Sequence, residues 1–548
     1  MMLTTAALLL QLLVAPAPQH ARLLRDAHAA QGRFEGLRRM HLPRVPRGSG
    51  GRCDAIIGRF CYTYDASDMP VVPEPKQIIT ARTRLLSFLD SATAADPSEP
   101  WTLGQYTRYL IEAGRAPDAV AVLQRCRAEP WWCAALAGLA LHVAERYEAA
   151  DSAYDVALRA MPERQRCEWH DLTALVDDPL HRVLSRADCA RRAALAADAW
   201  TLAKPLWRTR GNDLRTEHYA RLTMALVLAG SANAHGMVWG DDSRELLLRY
   251  GWAEWFTRDD SDVNLYTGPR ITGHDREPSY FFFAGVPPAG ASARLSQNLR
   301  DLQRGLAPSR YAPRYLKGLS ELPHQLARFP RGDSLLIAVA FAARDTALVH
   351  DSLDATLATR QHERVVVHGP AHAGLQGMIA NDAFIASIEV AGVQSKHVAR
   401  ARYAVDALPL TSGGTLSDAL LFNPDIYRGD SVDSLLAAAL TEMRVSAARP
   451  LGVYWELRTA PGPVWMDLDV EPIHVGVARR LATRLRLAPT PSAVRLRWQA
   501  SVRDSIKAEN VIVQLPRGVR GRYRLVLKAE TGRGETFQAV REVEVTRY

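Results

Sequence analysis

The chain has 548 residues, of which 47% are hydrophobic and 23% are charged, and this composition excludes a largely disordered protein. Its length predicts more than one hydrophobic core and therefore several domains. The formal net charge is +9, but the basic residues are scattered and form no dense basic cluster with interleaved aromatic residues, so we expect no nucleic-acid partner.

Residues 1–18 resemble a secretory signal peptide. They contain the apolar run Leu8–Val14, followed by the small and turn-forming residues Ala15-Pro-Ala-Pro18. This run is far shorter than the roughly 20 residues that span a bilayer, and no later segment is apolar over such a length. We therefore expect an exported protein, periplasmic or extracellular, with no transmembrane helix beyond the signal segment.

The cysteines support export because they occur as near neighbours in sequence, in an even number. They are Cys53, Cys61, Cys126, Cys133, Cys167 and Cys189. We predict that consecutive cysteines form disulfides, Cys53–Cys61, Cys126–Cys133 and Cys167–Cys189, although six cysteines allow about 15 connectivities. A metal site that includes His170 is the alternative, but the chain has no Cys-x-x-Cys pair.

After the signal segment, residues 19–75 are predicted to be an irregular, cysteine-containing segment with a possible helix between 21 and 40. Residues 76–200 are predicted to form helical repeats, because apolar residues recur at helical spacing. The periodic segments are Ile78–Leu89, Tyr106–Ala113, Ala119–Cys126, Ala134–Ala144 and Ala149–Ala160.

The last pair of predicted helices resembles a tetratricopeptide repeat. Gly138, Ala150, Tyr154, Ala157 and Pro162 stand at the relative positions that this repeat uses within about 34 residues. The resemblance implies that small residues let two helices approach closely, and that a concave face could bind a peptide of a partner protein. A purely structural helical layer is an equally open interpretation.

A second resemblance covers residues 200–255, inside a predicted domain and connector of residues 201–330. Its motif residues are Trp207, Asn212, Glu217, Tyr219, Arg221, Trp239, Asp241, Asp242, Arg244, Tyr250 and Gly251. In this order they resemble a divergent GWxTD domain, with Val238-Trp239 in place of its Gly-Trp and Asp241 in place of its Thr. The resemblance implies an exported bacterial protein with a small α/β core, in which an apolar strand precedes Tyr250-Gly251, and it supplies no catalytic or cofactor-binding residues.

The same residues, interpreted by their chemistry, favour a scaffold. Asn212 is suited to cap the helix that carries Glu217, and Trp239 is a large apolar anchor. The alternative is a metal or acid–base site, for which the candidates are Asp241, Asp242, Glu217, His218 and His235. The aromatic run Tyr280–Phe283 in the connector is expected in the core, with a binding patch as the alternative.

From residue 331 the apolar pattern changes to the period of two that is typical of strands. Predicted strands are Leu335–Phe341, Arg364–Val367, Phe384–Val390, Ala399–Val405, Ala419–Phe422, Leu451–Leu457, Val464–Val470, Ala493–Val502, Val511–Leu515, Tyr523–Ala529 and Gln538–Val545. They predict two antiparallel β-sandwiches, at 331–406 and 410–548, the second immunoglobulin-like with Tyr523 at a strand entry. The fold class is thus a multidomain α+β protein.

No sequence motif for a nucleophilic serine, a zinc protease or a phosphate-binding loop occurs, and we expect neither cofactor nor metal. The favoured function is an exported, non-enzymatic scaffold or protein-binding protein of the bacterial envelope. One alternative is a hydrolase with a site between the GWxTD-like core and the first sandwich. Another is carbohydrate binding through Tyr454 and Trp465 of the second sandwich, where Asp467 and Asp469 are expected on a solvated face.

Overall fold

The computed structural model describes most of the chain, which folds into two compact units. The described residues are 18–44, 55–62, 72–176, 178–261, 269–274, 315–360, 367–370, 374–411, 413–429, 432–473, 494–504, 506–516 and 520–546. Of the described residues, those at 18–205 and 209–274 belong to the first unit, and those at 206–208 and 315–546 belong to the second.

The first unit is mainly helical. Its helices are α1 (Pro18–His41), α2 (Lys76–Ala95), α3 (Pro100–Glu112), α4 (Ala116–Leu123), α5 (Pro130–Val143), α6 (Tyr147–Ala160), α7 (Glu163–Trp169), α8 (Asp178–Arg186), α9 (Cys189–Ala203), α10 (Asp213–Leu228) and α11 (Asp241–Tyr250). Two hairpins join them, β1 (Ala55–Ile57) with β2 (Phe60–Tyr62), and β3 (Trp255–Asp259) with β4 (Arg270–His274). Each segment for which helical periodicity was predicted overlaps one of α2 to α6, although three of them extend one to three residues past the end of the helix.

Helices α5 and α6 pack closely because a glycine faces an aromatic ring. A Cβ atom on Gly138 would lie 2.7 Å from the ring of the buried Tyr154, so a larger residue there would separate the helices. Helix α10 then packs on α3, α5 and α6. Twelve of its sixteen residues are buried, so α10 is a core helix, surrounded by the other helices.

Helix α1 lies where a helix was considered possible, between 21 and 40, within a segment otherwise predicted to be irregular. It runs over 24 residues and buries Ala27 and Phe34. Gln31, Glu35 and Arg38 also point inward. Because these polar residues interrupt the apolar period on the buried face, the sequence shows only a weak helical pattern over α1.

A buried ionic network attaches α1 to α3. Glu35 Oε1 lies 2.7 Å from Arg108 Nη2 and accepts a 2.7 Å hydrogen bond from the Tyr109 hydroxyl. Arg38 Nη1 lies 3.0 Å from Glu112 Oε2. Burial opposes ionisation of Glu112, but the positive charges of Arg38 and Arg108 outweigh it and lower the pKa of Glu112 to about 2. The network therefore remains charged inside the protein.

The second unit begins with a sandwich of two sheets. Its strands are β5 (Gly318–Glu321), β6 (His324–Arg331), β7 (Ser334–Phe341), β8 (Leu353–Arg360), β9 (Val367–Pro370), β10 (Leu375–Ala380), β11 (Phe384–Gly392) and β12 (His397–Val405), with the short helix α12 (Thr346–Val349). The sheet β10-β7-β6 packs on the sheet β5-β12-β11-β8-β9 through a shared core that includes Ile337, Val339, Ile388 and Val390.

A second sandwich follows. It contains β13 (Gly414–Leu416), β14 (Leu420–Phe422), β15 (Arg444–Ser446), β16 (Leu451–Thr459), β17 (Gly462–Pro472), β18 (Val494–Val502), β19 (Ile506–Val513), β20 (Gly521–Thr531) and β21 (Thr536–Thr546), with helix α13 (Val432–Ala438). The sheet of β13, β16, β14 and β19 packs on the sheet β15-β21-β20-β17-β18. Trp455, Met466 and Leu527 lie in the core between them.

The β region differs from the sequence prediction in two respects. Strands β5 and β6 precede residue 331, where the first sandwich was expected to begin. The sheets are also mixed rather than antiparallel, because β5 pairs in parallel with β12, and β15 pairs in parallel with β21. Strand β6 lacks the alternating apolar pattern of a strand because it is buried on both faces. Leu326 lies in the first sandwich core, and Phe329 lies against Tyr454 of the second. Residues 364–366 of one predicted strand lie outside the described residues.

The substitution Glu35→Gln should destabilise the first unit by roughly 3 kcal/mol, because Arg38 and Arg108 would keep their charges in the core without a full counter-charge. Chemical denaturation followed by far-UV circular dichroism measures this change. The matched control is Asp26→Asn on the same helix, whose pair with Arg22 is exposed and should contribute little. Equal stability of the two variants would contradict a structural role for the network.

Candidate functional site

Two of the three predicted disulfides are confirmed. Cys126–Cys133 connects the end of α4 to α5, and Cys167–Cys189 connects α7 to α9. Cys53 lies outside the described residues, so the pair Cys53–Cys61 stays a prediction. Disulfides persist in oxidising compartments, and these two indicate an exported protein. Among the described residues, no helix is long and apolar enough to cross a membrane.

The motif residues at the start of α10 fix that helix among its neighbours. Asn212 caps α10 as predicted, since its Oδ1 accepts a 3.2 Å hydrogen bond from Arg215 N while its Nδ2 donates to the Trp200 carbonyl at 2.7 Å. Arg215 pairs with Asp151 and Asp155 of α6. The guanidinium of Arg215 also lies over the ring of Tyr219, 5.1 Å from its centroid. These contacts are structural.

Glu217 lies in the second turn of α10, and both of its carboxylate oxygens have partners. His142 Nε2 lies 2.5 Å from its Oε2, and Arg221 Nε donates to its Oε1 at 2.7 Å. Burial opposes ionisation, but Arg221 and His142 outweigh it and hold the pKa of Glu217 well below its ordinary value. Arg221 also donates to the Leu248 carbonyl at 3.0 Å, which connects α10 to α11. Glu217 therefore acts as a buried counter-ion and is poorly suited to accept protons from a substrate.

Residues Asp241–Tyr250 form a helix, which corrects the strand implied by the resemblance at Leu246–Leu248. Two carboxylates in the first turn favour a helix because they face its partial positive charge, and Leu247 and Leu248 are both buried on one side. Asp242 accepts hydrogen bonds from Arg59, with Nε to Oδ2 at 2.6 Å and Nη2 to Oδ1 at 2.7 Å. This pair attaches hairpin β1–β2 to α11.

The turn of that hairpin requires glycine. Gly58 has a φ of +51°, and a Cβ atom there would lie 2.5 Å from Asp242 Cβ. The hydrogen bonds from Arg59 hold the pKa of Asp242 below its ordinary value. The pairing explains why Asp242 belongs to the motif, whereas Asp241 is exposed beside it.

The other motif residues do not lie together with the Arg59–Asp242 pair. Trp239 packs on the main core of the first unit, and Gly251, with a φ of +87°, adjoins Arg221. Trp207 belongs to the second unit, where its backbone N–H donates to Glu389 Oε1 at 2.7 Å and its ring lies under Arg402. Arg244 is exposed, and Tyr250 is half-buried.

The residues proposed for a metal or acid–base site are likewise dispersed. His235 binds the Ile271 carbonyl through Nδ1 at 3.2 Å, while His218 packs against Trp200 with the two rings tilted by 35°. Within the described ranges, no three His, Cys, Asp or Glu side chains are grouped as metal ligands. The structure therefore separates Asp242, Glu217, His218 and His235 among different local networks.

The aromatic pair predicted to bind carbohydrate is not brought together either. Tyr454, on β16, is buried against the first sandwich, whereas Trp465, on β17 of the opposite sheet, is exposed under Arg497. Asp467 and Asp469 pair with Arg497 and Arg495 of the neighbouring strand, as expected on a solvated sheet face.

A surface that the sequence did not reveal lies around the loop 233–240. Val238 in this loop is 83% exposed, and Ile56 in hairpin β1–β2 and Met40 at the end of α1 are 76% and 64% exposed. Arg59 Nη2 donates to the Val238 carbonyl, and Arg39 Nη1 donates to the Asn233 carbonyl, so both neighbouring segments are attached to the same loop. We call Met40, Ile56 and Val238 the loop patch. The tertiary contacts of Arg39 and Arg59 place the segments that carry these side chains beside the same loop.

Comparisons with known proteins assign no family to the chain. No family model and no curated protein matches it. Solved structures to which it is similar include a DUF3823 family protein from Bacteroides ovatus, at 7% identity over 36% of this chain and 91% of that one, with a TM-score of 0.15. Another is a bacterial ice-binding adhesin, at 11% identity over 41% of this chain and 66% of that one, with a TM-score of 0.14.

A further similar structure is Escherichia coli alpha-2-macroglobulin activated by porcine elastase, at 11% identity over 41% of this chain and 23% of that one, with a TM-score of 0.15. Likenesses with such TM-scores carry no argument about fold or function. The resemblances to the GWxTD domain and to tetratricopeptide repeats therefore stay predictions.

The substitution Asp242→Asn should release hairpin β1–β2 because it removes the charge that Arg59 binds through two hydrogen bonds. We expect faster hydrogen exchange in residues 55–62, with little change in the free energy of unfolding, since Arg59 is partly exposed. Asp241→Asn, which changes the same charge one residue earlier, is the control. Hairpin exchange that does not differ between the two variants would show that the pair does not hold the hairpin.

Proposed function

We propose that this protein is an exported, non-enzymatic scaffold of the bacterial envelope that binds another protein through the loop patch. The observation that carries the proposal is the exposure of Met40, Ile56 and Val238 on three segments joined at the loop 233–240. Exposed apolar surface of this kind is a feature of protein interaction sites when it is contiguous.

The surroundings of the loop patch indicate the chemistry of the partner. Arg39, His41, Arg44 and Arg59 flank it along α1 and the hairpin, and Arg44 and Arg59 are substantially exposed. Asp242 and Asp260 neutralise part of this charge. An apolar centre with a mainly basic rim fits a protein surface whose apolar residues are surrounded by Asp and Glu.

The packing of α10 on the helices of the predicted repeats also supports the proposal. Peptide binding on a concave face of the array was one of two equally open interpretations, yet α10 packs along α3, α5 and α6. Its polar groups are bound to the array, as in the 2.7 Å hydrogen bond from Gln105 Nε2 to the Val227 carbonyl. The inner side of these helices thus already holds a helix of the chain itself, which favours an outer surface for a partner.

Export can be tested apart from binding. Alkylation of the denatured but unreduced protein from its native host, followed by mass spectrometry, should leave Cys126, Cys133, Cys167 and Cys189 unmodified. Reduction before alkylation should label all four and provides the control. Four labelled thiols without reduction would contradict an oxidising compartment, because both disulfides would then be absent.

The binding surface is tested by charge insertion. Val238→Asp and Ile56→Asp should each reduce site-specific photo-crosslinking to a discrete protein by more than about tenfold, since each places a desolvated negative charge in an apolar contact. Val393→Asp, an equally exposed site in the second unit, is the control and should crosslink as wild type does.

A second arm separates a protein partner from a membrane surface, which a basic rim could also favour. The full chain is sedimented with anionic phospholipid vesicles at physiological salt. Binding to vesicles that Val238→Asp abolishes, without any protein crosslink, would overturn the proposal. Crosslinks that are the same in Val238→Asp, Ile56→Asp and Val393→Asp would also overturn it.

A further inference from the structure

Helix α10 buries a histidine that has no hydrogen-bond partner in the part of the chain that the structure describes. His218 is 1% exposed, and neither of its ring nitrogens has a partner among the described residues. Its ring lies on Trp200 of α9, with centroids 5.0 Å apart. Buried polar groups without partners are rare in stable cores because each forfeits its hydrogen bonds to water. The residue therefore calls for an explanation beyond packing.

The charges around His218 would repel a proton. Arg221 on α10 and Arg244 on α11 are the nearby cations, and His170, which follows α7, is a second titratable ring. The nearby anion is Glu217, but its oxygens are bound to His142 and Arg221. Helix α9 faces the ring with the uncharged Trp200. A protonated His218 would thus add a buried cation for which no acceptor is provided.

Helix α9 is the element that covers the His218 ring. Trp200, Leu195, Ala196 and Ala199 of α9 belong to a small core that is separate from the main core of the unit and meets α10 at Leu214. Small satellite cores open at lower free energy than the main core. The disulfide Cys167–Cys189 holds the first residue of α9 to α7, so an opened α9 would stay attached and could close again.

We propose that α9 is an acid-released flap over α10, opened by protonation of His218. Opening would hydrate the imidazolium and expose the apolar side chains of Trp200 and Leu214. The conditions around an exported protein are not buffered by the cytoplasm, so such a flap would respond to acidification outside the cell. The inference rests on the first unit alone and does not depend on the loop patch.

The direction of the pH effect follows from the pKa of His218. Burial, with Arg221 and Arg244, lowers this pKa from the ordinary 6.5 to about 3. Burial and the charges of Arg215 and Arg166 also lower the pKa of His170, which shares the region. The open form, in which His218 regains its ordinary pKa, binds the proton more readily. The closed form is therefore fully stable above about pH 6.5 and weakens as the pH falls toward about 3.

The test is hydrogen exchange of the full chain, expressed as protection factors that are corrected for the intrinsic effect of pH. One histidine with these pKa values raises the opening equilibrium by about a hundredfold between about pH 7.5 and about pH 4.5. We expect protection in α9 to fall by a comparable factor in the wild type, while α5 in the main core keeps its protection.

His218→Phe keeps an aromatic ring on Trp200, and this ring cannot be protonated. The protection factors of α9 should then change less than about threefold over the same pH range. His218→Asn serves if the phenylalanine variant fails to fold. The control is His181→Gln, an exposed histidine on α8, which should open like the wild type. An acid response that persists in both His218 variants would overturn the proposal, as would no response in the wild type. Loss of protection in α9 and α5 together would also overturn it, because that result indicates global unfolding.

Discussion

The structure of the first unit depends on the burial of charged groups along α10. Glu217 is enclosed by His142 and Arg221, and Arg221 continues to the carbonyl of Leu248 at the end of α11. Each ion would be costly to bury alone, and only their mutual pairing makes the arrangement stable. Because the partners come from α5, α10 and α11, this pairing defines one position of α10 among the helices.

The same principle recurs where α1 meets α3. Glu35, Arg38, Arg108 and Glu112 form a second buried network, and Tyr109 adds a hydroxyl to it. An apolar interface could be equally stable, but it would specify the register of two helices less strictly. We infer that these networks fix the order in which the helices pack. His218, also on α10, belongs to neither network and has no hydrogen-bond partner among the described residues, which gives it a separate role.

The second unit is organised by burial of one sheet on both faces. Strands β6 and β7 contribute Leu326 and Ile337 to the first sandwich core, while Phe329 and Ala338 pack toward Phe422 and Tyr454 of the second sandwich. Arg328 and Asp418 add an ionic contact at the same boundary. The two sandwiches consequently form a single compact unit, which explains why Tyr454 has no exposed ring to offer a ligand.

Local patterns in the sequence determined the helices α2 to α6, many of the strands and the disulfide partners Cys126–Cys133 and Cys167–Cys189. These features depend on periodic burial or short spacing, which a single chain segment carries by itself. The tertiary structure decided the helical state of Asp241–Tyr250, the role of α1 and the extent of β6, because inward polar residues or two buried faces obscure the period. It alone placed the segments of Met40, Ile56 and Val238 beside one loop, and it alone left His218 without a hydrogen-bond partner among the described residues, since both properties arise from residues that are far apart in sequence.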